Sequence, residues 1–332
     1  MIDIIIPVYN TPINDLERCF NSILKQTYKN YKVYIIDDGS HDEVKNYLDD
    51  YVKDKDNFCV KHILNGGVSN ARNVGIDISN SQYLTFLDAD DTLVESFLED
   101  AYNLIEKDNL DLIIGGYNEI KNGEVYKIRK CELDFYVYNK NNIELFMDKL
   151  LSGKLKNNNK IIGNLPSGRI YTRLYRRSVL GDLRFNNNLG MSEDTLFMID
   201  LMNKANTIGI SSHVWYNYYI NDYSISRRKV NDKVIKDHMS FVKEIYKRMI
   251  IEENKEIKNA YIFRIFKSLI NLVDLVKSSD KNNLLNSILN DEMFKYLNDL
   301  DISDYINISD KEIEFLNNYR DGLYDKIWWS YF

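Results

Sequence analysis

MIDIIIPVYN, residues 1–10, contains a short apolar run, Ile2–Val8, in which Asp3 is the one charged residue and after which Tyr9 and Asn10 follow. A short, mostly apolar run is typical of a strand buried on both faces of a parallel sheet. An amphipathic helix follows, with Asn14 as its predicted cap. This unit repeats, with strands predicted at residues 31–36, 60–64, 83–87 and 111–115 and helices at 44–51, 68–78 and 95–105. The alternation predicts an α/β fold with a mostly parallel sheet flanked by helices.

Two further patterns divide the rest of the chain. Asn122 and Gly123 stand between two short alternating runs, which predicts a tight β-hairpin. Beyond Asn231 the strand signals stop, and apolar residues recur at helical spacing. We therefore expect an α/β domain over residues 1–226 and a helical C-terminal domain over residues 227–332.

Composition and charge exclude several classes of protein. The 332 residues carry 43 basic and 50 acidic side chains, a net charge of −7, without a long basic block, so a nucleic-acid partner is not expected. The three cysteines, Cys19, Cys59 and Cys131, fit neither a disulfide framework nor a zinc site. No apolar stretch reaches the roughly 18 residues of a membrane-spanning helix. These features predict a cytoplasmic protein that is soluble or only peripherally attached to a membrane.

Polar clusters follow four of the apolar runs: Pro7 to Asn10, Asp37 to Ser40, Asn65 to Asn73, and Asp88 to Asp91. Ligands of open α/β sheets bind beyond the carboxyl ends of the strands, although each cluster alone also suits an ordinary turn or helix cap. The GxGxxG and GxxxxGK[ST] loops are absent, which argues against dehydrogenases and P-loop proteins. Asp88 and Asp90 flank a small residue, so one carboxylate is able to face a nucleotide sugar while the other holds a divalent cation. Asp91 is expected to cap the following turn.

Met191-Ser192-Glu193-Asp194 forms a second acidic cluster, directly before a run of apolar residues. Read locally, Ser192 caps a helix, and the two acids favour its first turn because they interact well with the helix dipole. This local interpretation needs no catalytic role.

MIDIIIPVYN, IIDDGS (35–40), NGGVSNARNVGI (65–76) and LDADD (87–91), in this order and spacing, resemble glycosyltransferase family 2. The resemblance covers residues 1–226 and implies a Rossmann-like GT-A domain, with a nucleotide-binding half over 1–115 and an acceptor-side half over 116–226. It also implies inverting transfer of a sugar from a nucleotide sugar, with Mn²⁺ or Mg²⁺ as cofactor, in the assembly of bacterial surface polysaccharide or glycoconjugate.

The resemblance assigns site residues by position. It makes Asp90 the metal ligand, Asp37 the partner of the uracil of a UDP-sugar, and Arg72 the basic residue near the phosphates. Glu193 and Asp194 match a motif in which a carboxylate acts as general base, with Asp194 preferred and Glu193 the close alternative. The nucleotide-sugar-binding positions are Pro7, Tyr9, Asn10, Asp37, Asp38, Asn65, Gly67, Ser69, Arg72, Asp88 and Ala89.

Weaker resemblances concern the acceptor side. Residues 173–177, Arg-Leu-Tyr-Arg-Arg, resemble a stretch that shapes that side, and a solvated basic face is the alternative. Residues 218–226 resemble a segment that folds over the diphosphate. They carry Asn221 and Asp222 where relatives place Arg or His, so Arg227 and Arg228 are the substitutes we consider.

The predicted partners are a UDP-sugar donor and a saccharide, glycolipid or glycoprotein acceptor at the inner face of the membrane. The C-terminal helices are expected to form ordinary core or a homo-oligomer interface. Two other functions stay open. A sugar nucleotidyltransferase would carry a glycine-rich loop with Arg and Lys after the first strand, where Pro7-Val8-Tyr9-Asn10 stands. A catalytically silent transferase-like subunit would not require the acidic residues to be present.

Overall fold

The computed structural model describes residues 1–152, 168–220, 231–278, 282–303, 305 and 308–329. These residues fall into two compact units. The first unit draws on Met1–Ile143, Ile161–Asn188 and Glu193–Arg227, and the second on Glu144–Lys160, Leu189–Ser192 and Arg228–Phe332. The second unit thus includes short stretches from within residues 1–226, and the domain division predicted from the sequence stays a prediction.

The first unit begins with four strand and helix pairs, as predicted. Strands β1 (Ile2–Val8), β2 (Tyr31–Asp37), β3 (Phe58–His62) and β4 (Tyr83–Phe86) are parallel and lie in the order β3-β2-β1-β4. The helices are α1 (Ile13–Leu24), α2 (Asp42–Val52), α3 (Val68–Ile78) and, after the short strand β5 (Thr92–Leu93), α4 (Phe97–Lys107).

Two predicted boundaries in this region were wrong. Helix α1 begins at Ile13 with Pro12 as its N-cap residue, so Asn14 is not the cap. Strand β3 lies two residues earlier than predicted, because Phe58 is buried against the rings of Phe20 and Tyr51. Leu64, the end of the predicted strand, is 92% exposed.

The rest of the first unit extends the sheet with strands of both directions. They are β6 (Leu112–Lys121), β7 (Glu124–Arg129), β8 (Phe135–Asn139), β9 (Arg173–Arg176) and β10 (Thr207–Tyr219), and the order of the main path is β3-β2-β1-β4-β9-β6-β10-β5. Only β6 and β10 continue the parallel pairing. β9 is antiparallel to β4 and β6, while β7 and β8 add antiparallel strands to β6 and β10. The short helices α6 (Arg177–Leu180) and α7 (Glu193–Met202) complete the unit, whereas α5 (Ile143–Ser152) belongs to the second unit from Glu144 onward.

The predicted hairpin at Asn122-Gly123 is confirmed. Lys121 pairs with Glu124 across the turn, and both turn residues have positive φ, 54° for Asn122 and 81° for Gly123. Two consecutive positive φ angles define the type I′ turn that matches the twist of antiparallel strands.

The second unit is helical, as predicted for the C-terminal third. It contains α8 (Asp232–Ile251), α9 (Lys255–Ser278), α10 (Asn282–Leu289), a 3₁₀ helix (Glu292–Asp299), α11 (Asp310–Arg320) and α12 (Tyr324–Trp329). Phe263 and Phe266 on α9 are fully buried and contact the rings of Tyr305 and Phe315. No helix in the described parts of the chain is both long and apolar enough to cross a bilayer. A homo-oligomer interface on these helices stays a prediction.

The arginines at the end of β9 hold the sheet together, so the interpretation of this run as a solvated face was wrong. Arg176 Nε donates to the Leu110 carbonyl at 2.9 Å. Arg177 lies 3.2 Å from the fully buried carboxylate of Asp3 and also donates to the carbonyl oxygen of Ser81. Asp3 additionally accepts hydrogen bonds from the backbone of Asn80 and from the backbone and hydroxyl of Ser81. A buried carboxylate with this many donors is fully compensated.

We expect Asp3→Asn to lower the free energy of unfolding by about 2 to 4 kcal/mol, because the amide removes the charge that pairs with Arg177 and replaces one of the two acceptor oxygens with an NH2 donor. Chemical denaturation measures the difference. Asp77→Asn is the control, since its ion pair with Arg184 is largely exposed and contributes at most about 1 kcal/mol. Equal losses in the two variants would show that the Asp3 network adds no special stability.

Candidate active site

The four polar clusters predicted from the sequence meet at one edge of the sheet. They follow β1, β2, β3 and β4, which are parallel neighbours, so their carboxyl ends point the same way. The Asn10 amide donates to Ser40 Oγ at 2.9 Å, and the His41 amide donates to Asn10 Oδ1 at 2.9 Å. Pro7 is buried at the end of β1, while the Tyr9 ring beside it is 57% exposed. An exposed ring at this edge is available to a planar ligand.

Asp38 shapes the loop that precedes α3. Its two carboxylate oxygens accept the amides of Gly66 at 2.7 Å and Gly67 at 2.8 Å, and its carbonyl accepts the side-chain amide of Asn65. Gly67 has a φ of 87° and open space where a side chain would begin. No described side chain caps α3. The amides of its first turn therefore offer hydrogen bonds and a positive dipole end to an anion.

Asp37 is fully buried, and its carboxylate is hydrogen-bonded to a histidine. Asp37 Oδ2 lies 2.7 Å from His62 Nδ1, and Oδ1 accepts the Ser40 amide at 3.0 Å. Burial alone would raise the pKa of Asp37, but the hydrogen bonds from His62 and Ser40 lower it below its usual value. Burial alone would lower the pKa of His62, but the hydrogen bonds with Asp37 and Asp49 raise it. The role of Asp37 in binding uracil stays a prediction.

Arg72 joins the two acidic clusters of the sequence. Its guanidinium is 5% exposed and donates to Asp88 Oδ1 at 3.0 Å and to Glu193 Oε1 at 2.9 Å. Arg72 and Glu193 are 121 positions apart in the chain. Because an arginine in so dry a site requires negative partners, these three residues are held in one arrangement. The predicted Arg72, Asp88, Glu193 and Asp194 therefore lie in one site.

Asp194 begins α7 beside Glu193 and differs from it in its contacts. Its Oδ1 accepts the amide of Thr195 at 2.7 Å. Burial and the negative charge of Glu193 raise the pKa of Asp194 to about 6, although Arg169 and Arg72 act in the opposite direction. A carboxyl group with this pKa is ionised at neutral pH, and it binds a proton more readily than an ordinary aspartate.

Asp91 attaches the acidic turn to β10, so its predicted role as a simple turn cap was wrong. It is 1% exposed, its Oδ2 accepts the Tyr216 hydroxyl at 2.7 Å, and its Oδ1 accepts the Tyr219 amide at 2.7 Å. Burial and the charges of Asp90 and Asp88 raise the pKa of Asp91. The turn is thus a crowded set of carboxylates.

That crowding suits a hard divalent cation. Asp88, Asp90 and Asp91 place three carboxylates within four residues, and carboxylate oxygens are the donors that Mn²⁺ and Mg²⁺ prefer. Among the described residues, no group of three or more His, Cys, Asp or Glu side chains is arranged as a metal site. Metal binding by Asp90 therefore stays a prediction.

The two small predicted residues, Ser69 and Ala89, are almost completely buried. Ser69 lies in the first turn of α3, and its hydroxyl has no hydrogen-bond partner among the described residues. Of the segment predicted to fold over the diphosphate, Tyr218 to Ile220 are described. Residues 221–230, which include Arg227 and Arg228, lie outside the described residues.

Several residues at this edge gave no signal in the sequence. His62 pairs with a residue 25 positions away, Arg18 with one 72 positions away, and Tyr216 with one 125 positions away. Each lies in a helix or strand, where nothing in the local sequence indicates a partner for its polar group. Only the position of His62 in a predicted strand, directly before a polar cluster, offered a weak hint.

Comparisons with known proteins identify the family. A family model described as Glycosyl transferase family 2 matches residues 3–184, more than half of the chain. The chain therefore belongs to glycosyltransferase family 2.

Two relatives illustrate the range of similarity. The glycosyltransferase GlyG of Streptococcus pneumoniae serotype 4 is 32% identical over 139 residues, which are 42% of this chain and 43% of GlyG. The poly(ribitol-phosphate) beta-N-acetylglucosaminyltransferase TarP of Staphylococcus aureus is 28% identical over 253 residues, 74% of this chain and 71% of TarP. The chain thus spans less than half the length of GlyG.

Solved structures confirm the fold. S. aureus TarS 1–349 in complex with UDP-GlcNAc matches with a TM-score of 0.70 and 20% identity, over 98% of this chain and 88% of that one. The Pyrobaculum calidifontis mannosyltransferase PcManGT in complex with GDP-Man and Mn²⁺ matches with a TM-score of 0.53 and 13% identity, over 87% of this chain and 73% of that one. The α/β domain with a C-terminal helical region is therefore confirmed.

The raised pKa of Asp194 predicts that Asp194→Asn stabilises the protein at neutral pH. A carboxyl whose folded pKa lies above its unfolded value contributes stability below the unfolded pKa, near 4, and this stability is lost as pH rises through about 6. The asparagine does not titrate and keeps an acceptor for Thr195. Melting temperatures of both proteins from about pH 4 to about pH 7.5 should diverge in favour of the variant.

Glu193→Gln provides the contrast, because it removes the partner of the buried Arg72 and should destabilise the protein by about 1 to 3 kcal/mol. An Asp194→Asn variant that loses stability as pH rises, relative to wild type, contradicts the raised pKa.

Proposed function

We propose that this chain catalyses the inverting transfer of a sugar from a UDP-sugar to an acceptor hydroxyl. The observation that carries the proposal is the bridge of Arg72 between Asp88 and Glu193, which brings the donor-side acidic turn next to Asp194. The choice of UDP is supported by TarS, whose structure contains UDP-GlcNAc. TarP, by its name, transfers N-acetylglucosamine to poly(ribitol-phosphate), which supports an acceptor in the assembly of bacterial surface polysaccharide or glycoconjugate.

The donor lies along the sheet edge in this proposal. The exposed Tyr9 ring and the loop around Asp37 face the nucleoside, while the open amides of α3 and the Arg72 guanidinium lie toward the diphosphate. Asp90 would hold Mn²⁺ or Mg²⁺ here, and the cation would supply positive charge to the departing diphosphate. Arg72 adds its own charge on the same side and needs no reorganisation, because Asp88 and Glu193 already fix it.

Asp194 is the general base for the acceptor hydroxyl. As the hydroxyl oxygen of the acceptor forms a bond to the anomeric carbon, the bond from that carbon to the diphosphate oxygen breaks on the opposite face, and Asp194 takes the hydroxyl proton. Asp194 suits this role better than Glu193, because Glu193 is committed to Arg72 and Asp194 has an oxygen that accepts no hydrogen bond from the described residues. Glu193 then acts by holding Arg72.

A panel of donors tests the function. Purified protein is incubated with UDP-, GDP- and dTDP-sugars, each with Mn²⁺ and with a chelator, and the release of nucleoside diphosphate is measured. We expect UDP release that requires the metal. Release of GDP or dTDP alone would overturn the choice of donor. Equal release of nucleoside diphosphate with Mn²⁺ and with the chelator would overturn the metal requirement. Release of pyrophosphate from a sugar phosphate and UTP would instead identify a nucleotidyltransferase.

Asp194→Asn should reduce turnover by about 10²-fold or more, the usual contribution of a positioned base, while UDP affinity stays close to wild type. The rate of the wild type should fall as pH drops below about 6, because protonated Asp194 cannot accept the acceptor proton. Initial rates with the donor identified above measure both effects. Glu193→Gln is the matched comparison: if it loses far more turnover than Asp194→Asn without losing UDP affinity, Glu193 is the base.

A further inference from the structure

Arg18 on α1 contacts the acidic turn, residues Asp88 to Asp91, through its guanidinium. Its guanidinium donates to the carbonyl oxygen of Asp90 at 2.7 Å and forms an ion pair with Asp15 on its own helix at 2.7 Å. The same group lies 3.9 Å from the centre of the Tyr219 ring, at the end of β10. One side chain thus joins the first helix, the residue predicted to hold the metal, and the last residue of β10.

These contacts are placed to orient Asp90. A carbonyl hydrogen bond at 2.7 Å to a charged donor is short and strong, and the close cation–π contact fixes the plane of the guanidinium. Asp91 ties the next residue of the turn to the Tyr219 amide, so Asp90 is held from both sides. The backbone of Asp90 is therefore restricted, and so is the direction in which its side chain leaves the turn.

The ion pair with Asp15 does not account for this arrangement. It is a partly exposed i,i+3 pair within one helix, with the Arg18 side chain 32% exposed, and such pairs contribute little to stability. The contacts that reach beyond α1 are the hydrogen bond to the Asp90 carbonyl and the cation–π contact with Tyr219.

We propose that Arg18 is a positioning residue for Asp90: by holding the Asp90 carbonyl against α1 and Tyr219, it presents the Asp90 carboxylate to the cation that accompanies the donor diphosphate. This inference rests on the proposed function. Arg18 touches neither the nucleotide nor the reacting atoms, and it acts through the backbone of the turn.

A double-mutant cycle tests the inference. UDP affinity is measured by calorimetry for wild type, Arg18→Gln, Asp90→Ala and the double variant, each with Mn²⁺ and with a chelator. We expect Arg18→Gln to weaken UDP binding by about 10- to 100-fold with Mn²⁺, the usual effect of removing a group that orients a metal ligand. It should have no effect with the chelator and none in the Asp90→Ala background.

Arg184→Gln is the matched control, since Arg184 has similar exposure and an aspartate partner at 2.7 Å in Asp77. It should leave UDP affinity unchanged, and melting temperatures verify that all variants fold. An Arg18→Gln variant that binds UDP like wild type overturns the inference. So does a loss that persists with the chelator or adds to that of Asp90→Ala, because Arg18 would then act elsewhere.

The same measurements separate failure of the inference from failure of the proposed metal role. If the UDP affinity of the wild type is the same with Mn²⁺ and with the chelator, or if Asp90→Ala binds UDP like wild type, the metal role of Asp90 is wrong. That conclusion does not depend on the result for Arg18→Gln. A loss in Arg18→Gln under those conditions overturns the positioning role as well.

Discussion

A buried guanidinium sets the geometry of the candidate site. Arg72 is almost entirely removed from water, so its charge must be matched by anions at fixed positions. Asp88 and Glu193 supply them from two different parts of the chain. Whichever of the three is moved, a charge is left in a dry environment. The spacing between the acidic turn at Asp88 and the start of α7 at Glu193 is therefore fixed by the ion pairs with Arg72.

Two adjacent acids have been given different environments. Glu193 is neutralised by a direct ion pair, whereas Asp194 lies in the field of its neighbour and has a raised pKa. Neighbouring carboxyls whose surroundings separate their proton affinities are the usual basis for dividing acid and base roles. At the acidic turn, the buried Asp91 accepts hydrogen bonds from β10 through both of its carboxylate oxygens.

Local signals in the sequence were sufficient for part of the fold. The apolar run Ile2–Val8 predicted β1 to the residue, and Val68–Ile78 predicted α3 likewise, because periodicity and strand-end polar residues are short-range features. The antiparallel β9 and the long β10 were not predicted, since their pairing depends on contacts between residues far apart in the chain, such as Tyr83 with Arg176. The sequence predicted the clusters to which the site residues belong, but it did not predict which side chains contact each other. That His62 pairs with Asp37, or that residues 173–177 hold the sheet, follows from tertiary structure alone.

The position of β9 has a consequence for biosynthesis. β4 lies between β1 and β9, and β9 is made of residues Arg173–Arg176. While the ribosome synthesises the first half of the chain, β4 is an open sheet edge, and Arg72 has only one of its two anionic partners until Glu193 emerges. An exposed edge strand and an uncompensated cation both favour binding to other molecules, chaperones included. Synthesis of the last third of the α/β region is thus the step that closes the sheet and completes the charge balance of the site together.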